Sequence, residues 1–214
     1  MPEARNSRSR QSLVRTAERL VAERGLRGAS AREVVKASGH RNNSAVAYHF
    51  GSWEGLLAAV WELHAAPIAA DRARRLAALP EHASLRELVA AYICPIVTEI
   101  GSHTPSCWAR FNEQWIVGAR LDFVTDPGLS AQPEERELRE SLTHDLRALF
   151  ARIADALVHL DPPDRPRRVA LAARFVISAL AAWERDNEID GATTSLDALS
   201  DELVTLTVAV LEAH

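Results

Sequence analysis

Residues 30–53, SAREVVKASGHRNNSAVAYHFGSW, predict two short helices joined by a glycine turn. Ser30 can accept hydrogen bonds from the free amides that open the first helix, and Glu33 stands at the capping-box position three residues later. Gly39 can adopt the left-handed conformation that ends a helix. The second helix covers residues 44–50. Two such helices around a tight turn are typical of the helix-turn-helix, whose second helix enters the DNA major groove.

Charge divides the chain into a basic N-terminal part and an acidic remainder. Residues 1–50 carry ten Lys/Arg against four Asp/Glu, whereas the remaining 164 residues carry 15 against 25. A basic module suits a polyanion, and an acidic module beside it suggests a second role. Ala, Leu, Arg and Glu dominate, and apolar residues recur at helical spacing, so the whole chain is expected to be helical.

Several classes of protein find no support in the sequence. Cys94 and Cys107 fit neither a disulfide framework nor a metal site. The N-terminus lacks the apolar region of an export signal, and no run approaches ~20 uninterrupted apolar residues. The histidines are scattered, and no phosphate loop or Ser/His/Asp order stands out. We therefore expect a cytoplasmic protein that is not an enzyme, has no cofactor and no metal, and does not contact a membrane.

The first helix is expected over residues 11–24, where an apolar stripe repeats at helical spacing. Residues 1–9 are polar and predict a disordered basic arm, which either contacts DNA or is a solvated tail. The stripe of residues 11–24 should pack against the two short helices to form a three-helix head. The residues involved are Leu13, Ala17, Leu20 and Val21 on one side and Val34, Val35, Val46 and Phe50 on the other.

The remainder of the chain predicts a helical bundle. Pro67 predicts a kink or break in the helix that begins at Ser52, because proline cannot donate a backbone hydrogen bond. Further helices are expected over residues 84–101, 107–124 and 133–160, with a loop at 125–132. Residues 161–168 contain three prolines and start the following helix, which runs to about residue 188. Ser84 with Glu87 should cap the first of these, and Thr194 with Asp197 should cap the last helix, which ends near His214.

Several elements between residues 10 and 64 resemble one protein family. They are "AERG" at 22–25, "REV" at 32–34, "ASG" at 37–39 and "YHFGS-x-EGLLAAV" at 48–60. In this order and spacing the chain resembles the TetR family of transcriptional regulators. The resemblance implies an all-α homodimer with a DNA-binding head at residues 10–64, and an effector-binding and dimerisation domain at 65–214.

The sequence departs from the family pattern within the head. The turn from Gly39 to Ser44 is one residue longer than usual, Ala47 stands where a tyrosine is common, and Trp53 replaces a common lysine. The usual tyrosine and lysine phosphate contacts are therefore not carried over. Tyr48 and His49 are the candidates to replace the tyrosine, and the backbone amides that open the fourth helix are candidates to replace the lysine.

The predicted DNA contacts combine amide, hydroxyl and guanidinium groups that match base edges and phosphates. Arg32 and Lys36 are expected to bind phosphates, whereas Arg41 can pair with guanine or phosphate. The alternative for Asn42 and Asn43 is that they cap the helix without contacting bases. The full set is Ser30, Arg32, Lys36, Arg41, Asn42, Asn43, Ser44, Tyr48 and His49.

Two further sets belong to the C-terminal part. Aromatic residues with a few polar neighbours predict a pocket for a small, largely apolar effector, with ordinary core packing as the alternative for each residue. This set is Trp61, His103, Cys107, Trp108, Phe111, Asn112, Trp115 and Trp183. The helix before the last has small alanine faces that permit close approach, and the final helix is apolar on more than one side. This pattern favours a dimer over an internally buried helix. The predicted interface is Ala179, Ala182, Leu199, Leu203, Leu206 and Val210.

Together these patterns predict a ligand-responsive transcriptional regulator, expected to be a repressor, that binds a palindromic operator as a homodimer. The competing hypothesis is a small-molecule binding or sensing protein whose head no longer binds DNA.

Overall fold

A computed structural model of the chain describes residues 2–40, 42, 44–117, 133–189 and 194–214. Every regular element in these residues is helical, so the expected all-α class is confirmed. The helices are α1 (Pro2–Arg24), α2 (Ala31–Ala37), α3 (Ala45–Phe50), α4 (Trp53–Ala78), α5 (Leu85–Gly101), α6 (Trp108–Val117), α7 (Pro133–Ala156), α8 (Arg165–Ile189) and α9 (Leu196–Glu212). A 3-10 turn, Pro162–Asp164, precedes α8.

The head consists of α1, α2, α3 and the first turns of α4. Val34, Val35 and Val46 are buried, as is the predicted stripe of α1, while Phe50 is partly buried against the same core. Full burial of a valine contributes roughly 1.5–3 kcal/mol, so this packing holds α2 and α3 in place. Gly39 and Gly51 have φ angles of 75° and 73°, which confirms that each ends a helix in the left-handed region.

The body consists of the rest of α4 together with α5 to α9. α4 contacts α1 and α3 in the head and α5 and α7 in the body. α6 lies against α1 on one side and α8 on the other, and α5 packs on α9. One core of buried side chains continues from the head into the body. A rearrangement in the body therefore has two routes to α1, through α4 and through α6.

The expected helix caps are largely present. Ser84 and Glu87 form a complete capping box at the start of α5, as predicted. At α2, the Ser30 hydroxyl accepts a hydrogen bond from the Glu33 backbone amide at 3.4 Å and donates to the Glu33 carboxylate at 2.7 Å. The α9 prediction was wrong by one residue, because the Ser195 hydroxyl, not that of Thr194, accepts from the Ala198 amide.

Two of the predicted breaks in helical structure are absent. The arm predicted to be disordered is helical from Pro2 onward and continuous with α1; proline is well suited to the first helical position. α4 continues through Pro67 and across the predicted domain boundary at residue 64. Pro67 removes a donor from the carbonyl of Leu63, and both residues are exposed, so water can bind that carbonyl in place of the missing amide.

Three other predicted segments either end at a different residue or extend beyond the residues that the structure describes. α7 ends at Ala156 instead of residue 160, because the chain turns there with the Leu157 amide bonded to the Ala154 carbonyl. α6 is described as far as Val117. The predicted end of that helix and the predicted loop at 125–132 lie outside the described residues. Among those that are described, no helix has the length and apolarity needed to cross a bilayer.

Candidate functional site

The polar face of the head is formed by the predicted DNA-contact residues that the structure describes. Ser30, Arg32 and Lys36 on or before α2 are exposed, as are Ser44 and Tyr48 at α3. Tyr48 is 76 % exposed, although a tyrosine ring can bury a large apolar area. Such a side chain, held on a short helix that is anchored by buried Ala45 and Val46, is available to a partner. The predicted contacts Arg41 and Asn43 lie outside the described residues.

Asn42 has the capping role that the sequence left open. Its side-chain oxygen accepts a hydrogen bond from the Ser44 backbone amide at 2.9 Å, while its backbone carbonyl accepts from the Ala45 amide. Ser44 itself makes no side-chain cap bond. The Asn42 oxygen therefore stabilises the entry to α3, and the Asn42 amide group remains the part that can donate to a base or phosphate.

His49 is part of a small polar network that ties α1 to the helix-turn-helix. The Ser9 hydroxyl lies 3.3 Å from His49 Nε2 and is also hydrogen-bonded to the His40 ring. His40 Nδ1 lies 2.9 Å from the Ser38 hydroxyl. Burial and the nearby His40 ring and Arg10 charge lower the pKa of His49. The neutral ring is therefore favoured at pH 7, which suits a hydrogen-bonding role more than a cationic phosphate contact.

The predicted aromatic face on α6 is present, and it packs within the chain. Trp108 and Phe111 have ring centroids 5.9 Å apart, and Phe111 and Trp115 are 6.1 Å apart, all nearly parallel. Trp108 and Phe111 are buried and Trp115 is partly buried. These contacts fit the core-packing alternative for each residue, and they leave the pocket prediction untested.

The other predicted effector contacts lie on several helices. Trp61 and Asn112 are partly buried. The Trp183 indole N–H donates to the Thr194 carbonyl at 2.8 Å, so this group already has a partner in the chain. Burial raises the pKa of the Cys107 thiol to about 11, although the neighbouring Arg110 charge opposes the shift. Cys107 is thus a neutral thiol at pH 7.

A junction cluster of four polar residues, Glu18, His64, Glu99 and His103, lies where the head meets the body. Glu18 belongs to α1, His64 to α4 and Glu99 to α5, and His103 follows the end of α5. His64 is 1 % exposed; its Nδ1 lies 2.7 Å from Glu99 Oε1, and its Nε2 lies 3.2 Å from Glu18 Oε1. The Nε2 contact is close but poorly aligned for a hydrogen bond, so it is mainly a charge contact.

Electrostatics favour a proton on His64. Burial alone would lower the pKa of His64, but the nearby charges of Glu18 and Glu99 and the hydrogen bond to Glu99 outweigh it and raise the pKa. Trp108 stacks on the imidazole with ring centroids 4.7 Å apart, and His103 meets it edge-on at 5.1 Å. The ring is thus fixed in orientation between two carboxylates from two different helices.

A second buried polar network joins α6 to α8. The Glu184 carboxylate of α8 accepts hydrogen bonds from the Ala109 and Arg110 amides at 3.1 and 2.9 Å and from the Ser106 hydroxyl at 2.7 Å. Glu184 therefore caps the N-terminus of α6 from a neighbouring helix. Arg110 also pairs with Glu188. Burial raises the pKa of Glu184 against the opposing effect of these hydrogen bonds.

The sequence patterns did not predict either buried network. Of their residues, only His103 was among the predicted site residues. A weak signal was present: His64 follows buried Val60 by four positions, and Glu99 follows buried Ile96 by three. A polar residue that continues an apolar helical stripe is expected to be buried with a partner. The partner itself cannot be assigned from spacing, because it comes from another helix.

The predicted dimer residues differ in how much surface they offer. Leu206 is 43 % exposed, Ala182 is exposed, and Ala179, Leu199 and Val210 are partly buried. Leu203 is 1 % exposed, because its own chain covers it. Leu203 therefore cannot contact a partner subunit, and its predicted place in the interface is wrong.

Comparison with solved structures finds the same architecture in other proteins. The TetR-family regulator PfmR of Thermus thermophilus is 21% identical, with a TM-score of 0.51, covering 94% of this chain and 95% of that one. A Rhodococcus sp. protein assigned to the TetR family is 18% identical, with a TM-score of 0.54 and coverage of 95% and 99%. The regulator FadR of Bacillus subtilis, in complex with stearoyl-CoA, is 15% identical, with a TM-score of 0.51 and coverage of 95% and 99%.

These three structures are transcriptional regulators, and each matches this chain along nearly its whole length. No family model matches the sequence, and no curated protein does. The chain therefore has the fold of the TetR-family transcriptional regulators, which extends the resemblance of residues 10–64 to the body.

Proposed function

We propose that the protein is a dimeric, ligand-responsive transcriptional repressor that binds a palindromic operator. The observation that carries the proposal is the polar face of the head, exposed on a fold shared with TetR-family regulators. In this arrangement α3 enters the major groove, where Tyr48 and Ser44 contact the operator. Arg32 and Lys36 bind phosphates from α2 and set the register of the head on the DNA.

A homodimer is proposed because the operator-binding mode needs two heads. Two-fold symmetry would place the two copies of α3 in successive major grooves, ~34–36 Å apart. The exposed leucine Leu206 on α9 supports an interface there, as does Leu171 on α8, which is 41 % exposed. Ala179 and Ala182 provide small side chains that let helices approach closely, and Leu199 and Val210 complete the proposed surface.

An effector that binds the body would release the operator by favouring a state with a different head separation. We propose a small, largely apolar molecule that contacts the aromatic residues of α4, α6 and α8. FadR, one of the structures that share this fold, binds stearoyl-CoA in its complex. A coupling of about 1–3 kcal/mol between the two sites is typical, and the contacts of α1 with α4 and α6 offer the route. Such a regulator would act in the cytoplasm.

The test is binding of the full-length protein to DNA from the regions flanking its own gene, measured by fluorescence anisotropy. Tyr48→Ala is expected to weaken binding at least ~10-fold, because it removes an exposed contact and no core packing. Val158→Ala is the matched control, since Val158 lies in the body and is 77 % exposed. It should leave the affinity within about twofold.

Two results would contradict the proposal. The first is equal affinity of Tyr48→Ala and the wild-type protein for the same DNA. The second is a wild-type protein that binds no DNA fragment above its affinity for random sequence. That outcome would favour the competing hypothesis of a sensing protein whose head has lost DNA binding.

A further inference from the structure

The junction cluster brings together three side chains whose donor atoms suit a metal ion. His64 Nδ1 lies 2.7 Å from Glu99 Oε1, and His103 Nδ1 lies 3.6 Å from the same oxygen. One donor atom from each of the three residues lies within 4.8 Å of the other two. Bonds of about 2.0–2.2 Å in a tetrahedral site put ligand atoms about 3.3–3.6 Å apart. The 2.7 Å pair would therefore open slightly, and a pair as far apart as 4.8 Å would have to close by roughly 1–1.5 Å.

The chemistry of the donors selects the class of ion. Two imidazoles and one carboxylate are typical of open zinc sites and of other first-row divalent transition metals. Mg²⁺ and Ca²⁺ prefer sites made of oxygen atoms. Glu99 and His103 are four positions apart at the end of α5, and His64 comes from α4. The two helices pack together, so His64 and Glu99 are held by the core of the protein.

Glu18 is close enough to support a metal-binding histidine once the ring of His64 realigns its Nε2–H with the carboxylate. Such a histidine almost always gives its other ring N–H to a carboxylate or carbonyl, which fixes the tautomer. Glu18 Oε1 lies 3.2 Å from His64 Nε2, on the side of the ring opposite to Nδ1. Trp108 stacks on the ring at 4.7 Å and holds its plane. The side of His64 that faces Glu99 and His103 is thereby left as the coordinating side.

The negative charges of the cluster also favour binding of a divalent cation. Glu18 and Glu99 are both nearly buried, and a buried carboxylate requires compensation. A divalent cation between His64, Glu99 and His103 would compensate both negative charges.

An ion also has a path to the site. The His103 side chain is 39 % exposed, and its Nδ1 lies 2.9 Å from the Ser102 hydroxyl and 3.0 Å from the Glu99 carbonyl. These two contacts are at the surface end of the cluster, where water can replace them when the ring turns toward an ion. Of the three donors, His103 would therefore be the one nearest to solvent.

We propose that the junction cluster binds one divalent first-row transition-metal ion through His64, Glu99 and His103, with Glu18 as the positioning carboxylate of His64. The fourth coordination position is open to water. The site lies between α1 of the head and α4 and α5 of the body, so the ion would tie the position of α1 to the body. The metal site does not depend on the proposed function, because binding of the ion is measured without DNA.

The experiment is calorimetric titration of the tag-free, chelator-treated, full-length protein with Zn²⁺. Co²⁺ serves as a second probe, since its visible absorption changes when imidazole replaces water. The expected result is one ion per chain. His103→Ala and Glu99→Gln should each lower the affinity at least ~10-fold, and Glu18→Gln should lower it ~10–100-fold, as supporting carboxylates do. His82→Ala is the matched control, because His82 is an exposed histidine outside the cluster, and it should bind as the wild type does.

Circular dichroism and unfolding of each metal-free variant separate loss of the site from loss of the fold; His103→Ala, at a partly exposed position, is the variant expected to fold normally. Absence of stoichiometric Zn²⁺ binding to the wild type would overturn the proposal. Wild-type affinity in folded His103→Ala and Glu99→Gln would also overturn it, as would an equal loss in His82→Ala. Equal competition by Mg²⁺ would contradict coordination by nitrogen.

Discussion

The polar face of the head and the buried polar networks use the same kinds of side chain in opposite ways. On the head, Arg32, Lys36 and Tyr48 are exposed and contribute little to the core. In the body, Glu184 is buried and accepts hydrogen bonds from its own chain, and His64 is buried between two carboxylates. The head therefore leaves its polar groups exposed and available for contact, whereas the body uses them to fix helices against one another.

This difference has an energetic basis. An exposed polar side chain remains solvated until a partner displaces the water, so its removal changes binding and scarcely changes stability. A buried polar group has already lost its water, and removing its partner leaves it uncompensated. Substitution of an exposed polar residue of the head should thus change DNA binding, whereas substitution of a buried polar residue should change the free energy of unfolding.

The largest effect is expected for Glu184→Ala. The change leaves the Ala109 and Arg110 amides and the Ser106 hydroxyl without their acceptor, and it leaves Glu188 as the ion-pair partner of Arg110. Loss of one partner from such a buried network costs about 3–5 kcal/mol in the free energy of unfolding. Urea denaturation measures it.

Glu23→Ala is the matched control for this prediction. It breaks the exposed pair of Arg19 and Glu23, which are 3.1 Å apart on one helix. Its cost should be about 0.3–0.5 kcal/mol. Similar values for Glu184→Ala and Glu23→Ala would refute the distinction between the two classes of polar group.

The second prediction concerns Arg32 and Lys36. Each neutralised phosphate releases counterions, so removing one contact reduces the slope of log affinity against log salt by about 1. Arg32→Ala and Lys36→Ala should each have this effect, with no change in the free energy of unfolding beyond about 0.5 kcal/mol. Arg167→Ala, an exposed arginine of α8, is the control that should leave the slope unchanged. An unchanged slope in all three variants would remove these residues from the DNA interface.

The smallest effect is expected for Gly39→Ala in the turn of the helix-turn-helix. A Cβ at Gly39 meets no atom within 4 Å, so the cost comes from its φ of 75° alone, about 1 kcal/mol. Thermal unfolding measures it. Gly39→Asn should lose less, since asparagine tolerates the left-handed region better. If both variants unfold at the same temperature as the wild type, the φ angle at this turn does not limit the stability of the variants.

The head could be predicted from the sequence because its signals are local. The Ser30 cap, the helix-ending glycines and the apolar stripe of α1 lie within a few residues of the structure they specify. Asn42 shows the limit even there, since spacing alone left open whether it caps α3 or contacts a base. The structure places its oxygen in the cap.

The junction could not be predicted because its members are distant in sequence. Glu18, His64 and Glu99 come from three helices, and each is an ordinary polar residue of its own helix until the helices pack. The helix break predicted at Pro67 is absent for a related reason. Its effect on α4 depends on whether water can bind the carbonyl that it leaves free, which is a property of the folded surface.

Two copies of α3 in a dimer are expected to bind a specific DNA sequence. Selection of bound fragments from a random DNA pool by the full-length wild-type protein tests this expectation. The selected fragments should share a palindrome whose half-sites are centred about 10 base pairs apart, or a multiple of that distance, and Tyr48→Ala should lose this enrichment. Recovery of a pool without a shared sequence, from protein that is folded, would contradict it.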